Sequence, residues 1–241
     1  IYAIKTHLFL GEDMMIKYAN KMGITSKLEA NASLPLGTNE ITMDEFVNAY
    51  ASLANSGYGV KKHLIRKIED GNGDIIYEYK ENKEKVLNKS YTYILNELLS
   101  NTYDTSLKSY TSPTCASIAP KLTKKYAVKS GTTDYDLWTV GYNPDVVVWV
   151  WTGYDDNRKL TKKEYKYSKN IWADTIENYL RDKEGNWYEM PNNVVGVITD
   201  LNTGKEATNN SKLKKILYYV KGTEPGYKSK SKTIKKKDTS N

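Results

Sequence analysis

Cysteine is nearly absent from this chain: Cys115 stands alone among 241 residues. A lone thiol excludes an internal disulfide and a cysteine-rich metal site. It precedes a short apolar turn, Ala116 to Ala119, and reads as a small buried residue rather than a nucleophile. Histidine is almost as scarce. His7 follows Lys5 and Thr6 on an expected first helix, and His63 lies among strand-like residues. Neither has the neighbours of a Cys–His catalytic pair, so structural roles are expected for both. No window approaches the roughly 20 apolar residues of a membrane-spanning helix, and the opening residues do not read as a signal peptide. Internal repeats are missing too. Neither a metal nor a cofactor is expected.

Charge is present but unevenly placed. The formal net charge is +7, and between 227 and 241 six lysines face a single aspartate. That tail has little to bury and is expected to be disordered. It reads as a solvated end or as a basic module for anionic wall polymer, lipid headgroups or nucleic acid. The second reading leaves the rest of the chain unexplained, and no nucleic-acid partner is expected. A chain of this length is enough for one sizeable core, or one domain with an appendage.

The remaining pattern runs helices, then strands, then a helix. Met15, Ile16, Ala19 and Met22 recur at helical spacing within 12–22. Thr42-Met43-Asp44-Glu45 is a capping box that opens a helix expected to run to Gly57. Segments 60–69 and 75–79 flank Asp70-Gly71-Asn72-Gly73-Asp74, a strong hairpin signal. Both arms are heavily charged, so this hairpin is expected to project from the core. Residues 90–103 read as a helix, and 126–133, 138–142 and 146–153 as three antiparallel strands. An amphipathic helix over 169–180 would turn Ile171, Trp172, Ile176 and Leu180 inward. Pro191 opens a separate segment, with a strand at 194–199 and a turn at Asn202-Thr203-Gly204.

One stretch concentrates chemistry: Lys129-Ser130-Gly131-Thr132-Thr133, with Asp136-Leu137-Trp138-Thr139-Val140-Gly141-Tyr142 close behind. Side chains alternate along a strand, so Ser130 and Thr132 share one face and Lys129 and Gly131 the other. Two hydroxyls can hydrogen-bond a carboxylate, and Gly131 lets a substrate backbone come close. A free strand edge can accept a peptide as an added strand, and the Thr132 N–H could meet a developing oxyanion. Lys-Ser-Gly-Thr alone is equally the polar end of a strand. Trp138, Tyr142, Trp149, Trp151 and Tyr154 could form a platform for sugar or peptide, or core beneath a terminal helix. Asp136 could orient an amine or shape the turn. Asp155 and Asp156 are adjacent and point apart, so a shared proton is not expected.

These residues resemble the third signature of the penicillin-binding proteins, Lys-Thr/Ser-Gly-Thr. Further stretches match in order. Ile1 to Gly11 looks like the segment after the Ser-x-Asn signature of the class A proteins. Leu34-Pro35-Leu36-Gly37-Thr38-Asn39-Glu40-Ile41-Thr42 looks like their loop and helix start, and Asn48 to Gly57 like the helix that follows. Trp149 to Asp155 resembles the next strand, and Gly222-Thr223-Glu224-Pro225 the family's end segment. The likeness is to bifunctional glycosyltransferase–transpeptidases of Gram-positive type. Ser130 stands for the commoner Thr and keeps the hydroxyl. Thr139 stands where an aromatic is frequent.

The resemblance implies an α/β (α+β) fold of the penicillin-binding transpeptidase and serine β-lactamase type, an antiparallel sheet flanked by helices. It implies a transpeptidase part over 1–190, a small β-containing extension over 191–226 and the lysine-rich tail over 227–241. It implies D,D-transpeptidation, with peptidoglycan stem peptides ending in D-Ala-D-Ala and β-lactams as partners. Lys129 and Thr132 would be catalytic, and Ser130, Gly131, Thr132 and Thr133 would bind substrate. The Ser-x-x-Lys nucleophile is not in the matching place, since Ser211 to Lys214 falls far downstream. It is expected upstream of Ile1 with Ser-x-Asn, the membrane anchor and the glycosyltransferase part. The parent would act at the outer face of the cell membrane, and the isolated 241 residues would be inactive. A non-catalytic, β-lactam-sensing domain of the same fold is the alternative.

Overall fold

The computed structural model describes residues 1–81 and 83–227, so the lysine-rich stretch beyond 227 lies outside the described residues. The chain divides into a larger unit, Ile1–Glu189, and a smaller one that begins at Met190.

Helices α1 (Tyr2–Leu10) and α2 (Glu12–Lys21) meet at Gly11, whose φ of 91° breaks the helical path. Glu12 and Asp13 open α2 and Lys21 closes it, in line with the helix dipole. Ala19 packs with Ile24 and Ala49 in a small core patch. His7 is buried, with Nε2 3.2 Å from the Asn31 carbonyl oxygen, a structural role as expected. Helix α3 (Met43–Ala54) starts where the capping signal predicts: Thr42 Oγ1 accepts from the Glu45 N–H at 3.3 Å. The reciprocal half of the box is replaced. The Glu45 carboxylate turns away to accept from the hydroxyls and N–H groups of Thr25 and Ser26. The helix stops three residues short of Gly57, because Ser56 and Gly57 take positive φ of 55° and 92°.

The charged hairpin is shorter than its sequence suggests. Strand β1 (Lys67–Glu69) pairs with β2 (Ile75–Glu78), and every residue of both is exposed. Residues 60–66 are irregular. His63 stacks on Tyr79 with ring centroids 3.5 Å apart. Helix α4 (Lys89–Ser100) is capped by Asn88, whose Oδ1 accepts from the Ser90 N–H at 2.9 Å, and runs into a 3-10 turn, Asn101–Tyr103.

The centre of the unit is an antiparallel sheet in the order β3 (Ala127–Thr132), β4 (Asp136–Tyr142), β5 (Val147–Gly153). Helix α5 (Tyr167–Tyr179) lies on one face. Trp172, Ala173, Ile176 and Leu180 are fully buried against Cys115, Ile118, Tyr126 and Val128. Ile171, expected to turn inward, is 47 % exposed. A step of one residue rotates about 100° around a helix, so Trp172 takes the seam and Ile171 leaves it. Trp172 fits because Gly141 has no side chain: a Cβ there would lie 2.3 Å from Trp172 Cζ2. Thr139 is buried, and its Oγ1 is 3.0 Å from Ser168 Oγ on α5. A hydroxyl pair thus fills the place where an aromatic is frequent.

The opposite face meets α3. Ala127 and Tyr142 form a second core with Leu53, and Phe46 and Tyr50 pack on Trp149 with centroids 4.7 and 5.7 Å away. Burial drives the Tyr50 hydroxyl up to about 12. In the smaller unit, β6 (Val194–Asp200) pairs with β7 (Lys214–Val220). Only the first was foreseen; Lys214-Lys215-Ile216-Leu217-Tyr218-Tyr219-Val220 lacks clean alternation.

Candidate active site

The Lys129 to Thr132 stretch lies on β3, the edge strand of the sheet among the described residues. In an antiparallel ladder each residue aims both its N–H and its C=O to the same side, and successive residues alternate. Thr133 N donates to Asp136 O at 2.9 Å, toward β4. Tyr126 N donates instead to Tyr103 Oη at 3.1 Å, and Val128 O accepts from Thr102 Oγ1 at 3.0 Å. Odd residues of β3 therefore bond inward to β4, and even residues face the outer edge. The backbone groups of Ser130 and Thr132 point outward, where a peptide could add.

Side chains follow the complementary alternation. Register pairs Ser130 with Thr139 and Thr132 with Leu137, all on the α5 face. Lys129, Gly131, Trp138, Trp149 and Trp151 share the other face. Ser130 and Thr132 do share a face, but unequally: Ser130 is 8 % exposed beneath α5, whereas Thr132 is open. Lys129 is exposed, and its ammonium bonds the outward-facing Ser130 carbonyl, so a cation already sits at the edge. Gly131 opposes Trp138, and a Cβ there would meet Trp138 Cβ at 3.4 Å, an ordinary contact.

Thr133 has a different occupation. Its Oγ1 accepts from the N–H groups of Tyr135 and Asp136 at 3.1 and 2.9 Å, which shapes the β3–β4 turn. Asp136 does the same work from the other side, with Oδ1 accepting from Trp151 Nε1 at 2.8 Å. The tryptophans are half-buried and form a ladder, Trp138 lying 5.6 Å from Trp149 and 6.1 Å from Trp151. The terminal helix does not cover them; it covers the opposite face. Cys115 is fully buried. No cluster of three metal-ligating side chains occurs among the described residues.

Several residues around β3 escaped the sequence reading. Glu177 on α5 accepts from Thr123 N at 3.0 Å, Thr123 Oγ1 at 2.5 Å and Tyr126 Oη at 2.7 Å, tying the start of β3 to the helix. Burial raises its carboxyl, but the Thr123 and Tyr126 hydrogen bonds outweigh this and hold it below the ordinary value. Glu97 on α4 accepts from Lys125 Nζ at 2.7 and 2.8 Å and from Trp187 Nε1 at 2.6 Å. These partners lie tens of residues apart, so no local pattern announces them.

The antiparallel sheet thus has a helix against each face and carries Lys-Ser-Gly-Thr on an edge strand. Residues 1–177 match the penicillin binding protein transpeptidase domain, and the chain belongs to that family. It is 41 % identical over 226 residues to penicillin-binding protein 2D of Bacillus subtilis, matching 93 % of this chain and 33 % of that protein. It is 29 % identical over 221 residues to penicillin-binding protein 1A of Aquifex aeolicus, matching 90 % of this chain and 29 % of that one. The chain thus spans about a third of these relatives. The fold is similar to that of penicillin-binding protein 1A from Haemophilus influenzae, with a TM-score of 0.81 at 23 % identity over 93 % of this chain and 38 % of that one. A structure of PonA1 from Mycobacterium tuberculosis in complex with penicillin V has a TM-score of 0.58 at 20 % identity, over 75 % of this chain and 52 % of that one. Among the described residues no helix is long and apolar enough to cross a membrane.

Proposed function

We propose that this chain is the substrate-edge part of a peptidoglycan D,D-transpeptidase working by a serine acyl-enzyme mechanism. The observation that carries the reading is the outward aim of the Thr132 N–H on a free edge strand, beside the Lys129 ammonium. In this reading a serine outside the 241 residues attacks the penultimate D-alanine carbonyl of a stem peptide. A bond forms from the serine oxygen to that carbon, the C–N bond to the terminal D-alanine breaks, and the hydroxyl proton passes to the leaving amine. An amine of a second stem peptide then forms the cross-link, breaks the ester and returns a proton to the serine.

Each site residue has a proposed task. The Thr132 N–H supplies one donor to the oxyanion, the other coming from the nucleophile's own N–H. Lys129 stabilises negative charge and helps move the proton. Ser130 and Thr132 hold the terminal carboxylate of the peptide or of a β-lactam, with the more open Thr132 hydroxyl as the main side-chain contact. Gly131 allows the substrate backbone close approach, and Thr133 contributes by fixing the turn. The transpeptidase domain is proposed to end near residue 190, with 191–226 as an extension and 227–241 as a tail. The whole protein is proposed to carry a glycosyltransferase and to act at the outer face of the cell membrane.

The test is labelling with a fluorescent penicillin followed by denaturation. The full-length protein is expected to retain covalent label, and the isolated 241 residues none. Stoichiometric label on the isolated chain would place a nucleophile inside it and overturn this division of labour.

A further inference from the structure

Just beyond Thr132 the β3–β4 turn meets another segment of the larger unit. Asp134 has its carbonyl oxygen bonded by Leu160 N at 2.9 Å and its carboxylate by Lys159 Nζ at 2.9 Å. These two contacts pin residues 154–166 to the turn. The segment is also held from within. The Glu164 carboxylate accepts from Thr161 N at 2.6 Å, from Thr161 Oγ1 at 2.8 Å and from Tyr154 Oη. Arg158 lies over the Tyr154 ring, 3.7 Å from its centroid. The charge here is one-sided: between 158 and 169 six basic residues accompany a single acid, Glu164. That acid is turned to Thr161 and Tyr154, and Lys159 is paired with Asp134. Lys162, Lys163 and Lys166 are exposed, with no ion-pair partner among the described residues. Lys163 and Lys166 flank one 3-10 turn, Glu164–Lys166, at a spacing that sets side chains over one another. Like charges held on a fixed scaffold repel, and an anion relieves them.

We propose that Lys162, Lys163 and Lys166 form an anion-recognition surface at the exit of the β3 edge, selecting peptides that carry carboxylates upstream of the reacting bond. This rests on the transpeptidase reading. There the Ser130 and Thr132 hydroxyls hold the terminal carboxylate, and the Thr132 N–H faces the reacting carbonyl. The rest of the peptide, toward its N-terminus, therefore leaves past Thr132. Asp134 lies two residues farther, roughly 7 Å along an extended chain. Its carbonyl is already engaged by Leu160, so a ligand stops pairing with the backbone there and meets the 154–166 segment instead. The third and fourth peptide residues, counted from the C-terminal end, are the ones that face the lysines. Phosphates along an anionic polymer would also suit three lysines, but a place at the exit of a peptide edge favours an acidic peptide.

The test uses the full-length protein and two synthetic peptides ending in D-Ala-D-Ala. One carries glutamate and the other glutamine at the third and fourth residues from the C-terminal end. Release of the terminal D-alanine gives kcat/KM for each. The glutamate peptide is expected to be preferred about 3- to 10-fold at roughly 20 mM salt, and to lose most of that preference at about 0.5 M, because exposed charges are screened. Combining Lys162→Gln, Lys163→Gln and Lys166→Gln is expected to abolish the preference, with the glutamine-peptide rate and labelling by fluorescent penicillin unchanged. Arginine at the same three positions is expected to keep it. Equal rates for the two peptides, in a protein that penicillin labels, would overturn the surface and leave the transpeptidase reading intact. A preference that survives in the glutamine variant would take the role from these lysines. If that variant lost only its binding to polyphosphate, with peptide discrimination unchanged, the patch would belong to an anionic polymer instead. A full-length protein that penicillin does not label would remove both readings.

Discussion

Two hairpins in the larger unit begin with the same turn chemistry. In the β1–β2 hairpin, Asp70 Oδ1 accepts from the N–H groups of Asn72 and Asp74 at 2.8 and 2.9 Å. In the β3–β4 hairpin, Thr133 Oγ1 accepts from Tyr135 and Asp136 at 3.1 and 2.9 Å. Beyond the turns they diverge. Both arms of the first are exposed throughout, with Ile76 at 67 %. The second inserts Val128 and Leu137 beneath α5, and Ala127 and Tyr142 beneath α3. A side-chain oxygen at the first turn position is enough to make a hairpin; burial on both faces is needed to make it rigid. The candidate site is on the embedded one, where the proposed oxyanion donor, the Thr132 N–H, would need no reorganisation as charge develops.

The sharpest way to break this comparison is truncation. Trp172→Ala is expected to cost about 3–5 kcal/mol, since it empties the seam beneath β3–β4. Ile76→Ala on β2 is expected to stay within about 0.5 kcal/mol. Denaturant unfolding checks both, and comparable losses would mean that the two hairpins are equally embedded. Glycine substitution is next. Gly141→Ala drives a methyl into Trp172 and is expected to cost about 3 kcal/mol. Gly73→Ala meets nothing within 4 Å and bears only the strain of its φ of +89°, about 1 kcal/mol.

A functional contrast follows inside the buried hairpin. In the full-length protein, Thr132→Val is expected to slow β-lactam acylation roughly 10- to 100-fold, because a hydroxyl bonded to a charged carboxylate is worth about 1.5–3 kcal/mol. The Thr132 N–H survives, so activity should not vanish. Thr133→Val is expected to act mainly on stability, by about 1 kcal/mol, as two turn N–H groups lose their acceptor. Second-order acylation rates and melting curves of both variants separate these effects. A larger rate loss at Thr133 would reverse the assignment.

The smallest expected effect concerns α3, which supports the Lys129 face. The Ser26 and Thr25 hydroxyls hold the Glu45 carboxyl at about 2, below its ordinary 4.5. A carboxyl depressed in the folded state contributes stability that is full above about 4.5 and is lost as pH falls through about 2. Glu45→Gln is therefore expected to flatten stability against pH across that window. An unchanged slope would show that these bonds are not held in solution.

The sequence by itself determined the helix start at Thr42, the tight turn at Asp70, the three central strands, and the alternation that puts Ser130 and Thr132 on one face. These rest on local chemistry: a capping oxygen, a turn residue, a period of two. It also carried the family resemblance, which ordered motifs can do without coordinates. Tertiary structure decided the rest. Which face α5 covers, that Ile171 stays outside the seam that Trp172 fills, that Ser130 lies nearly buried beside an open Thr132, and that the Glu45 carboxylate turns to Thr25 and Ser26 all depend on partners distant in sequence. So do the hydrogen bonds that Thr102 and Tyr103 make to the backbone at Val128 and Tyr126. Alternation is a property of one strand, but which of its edges and faces stay open depends on what the remainder of the chain packs against them.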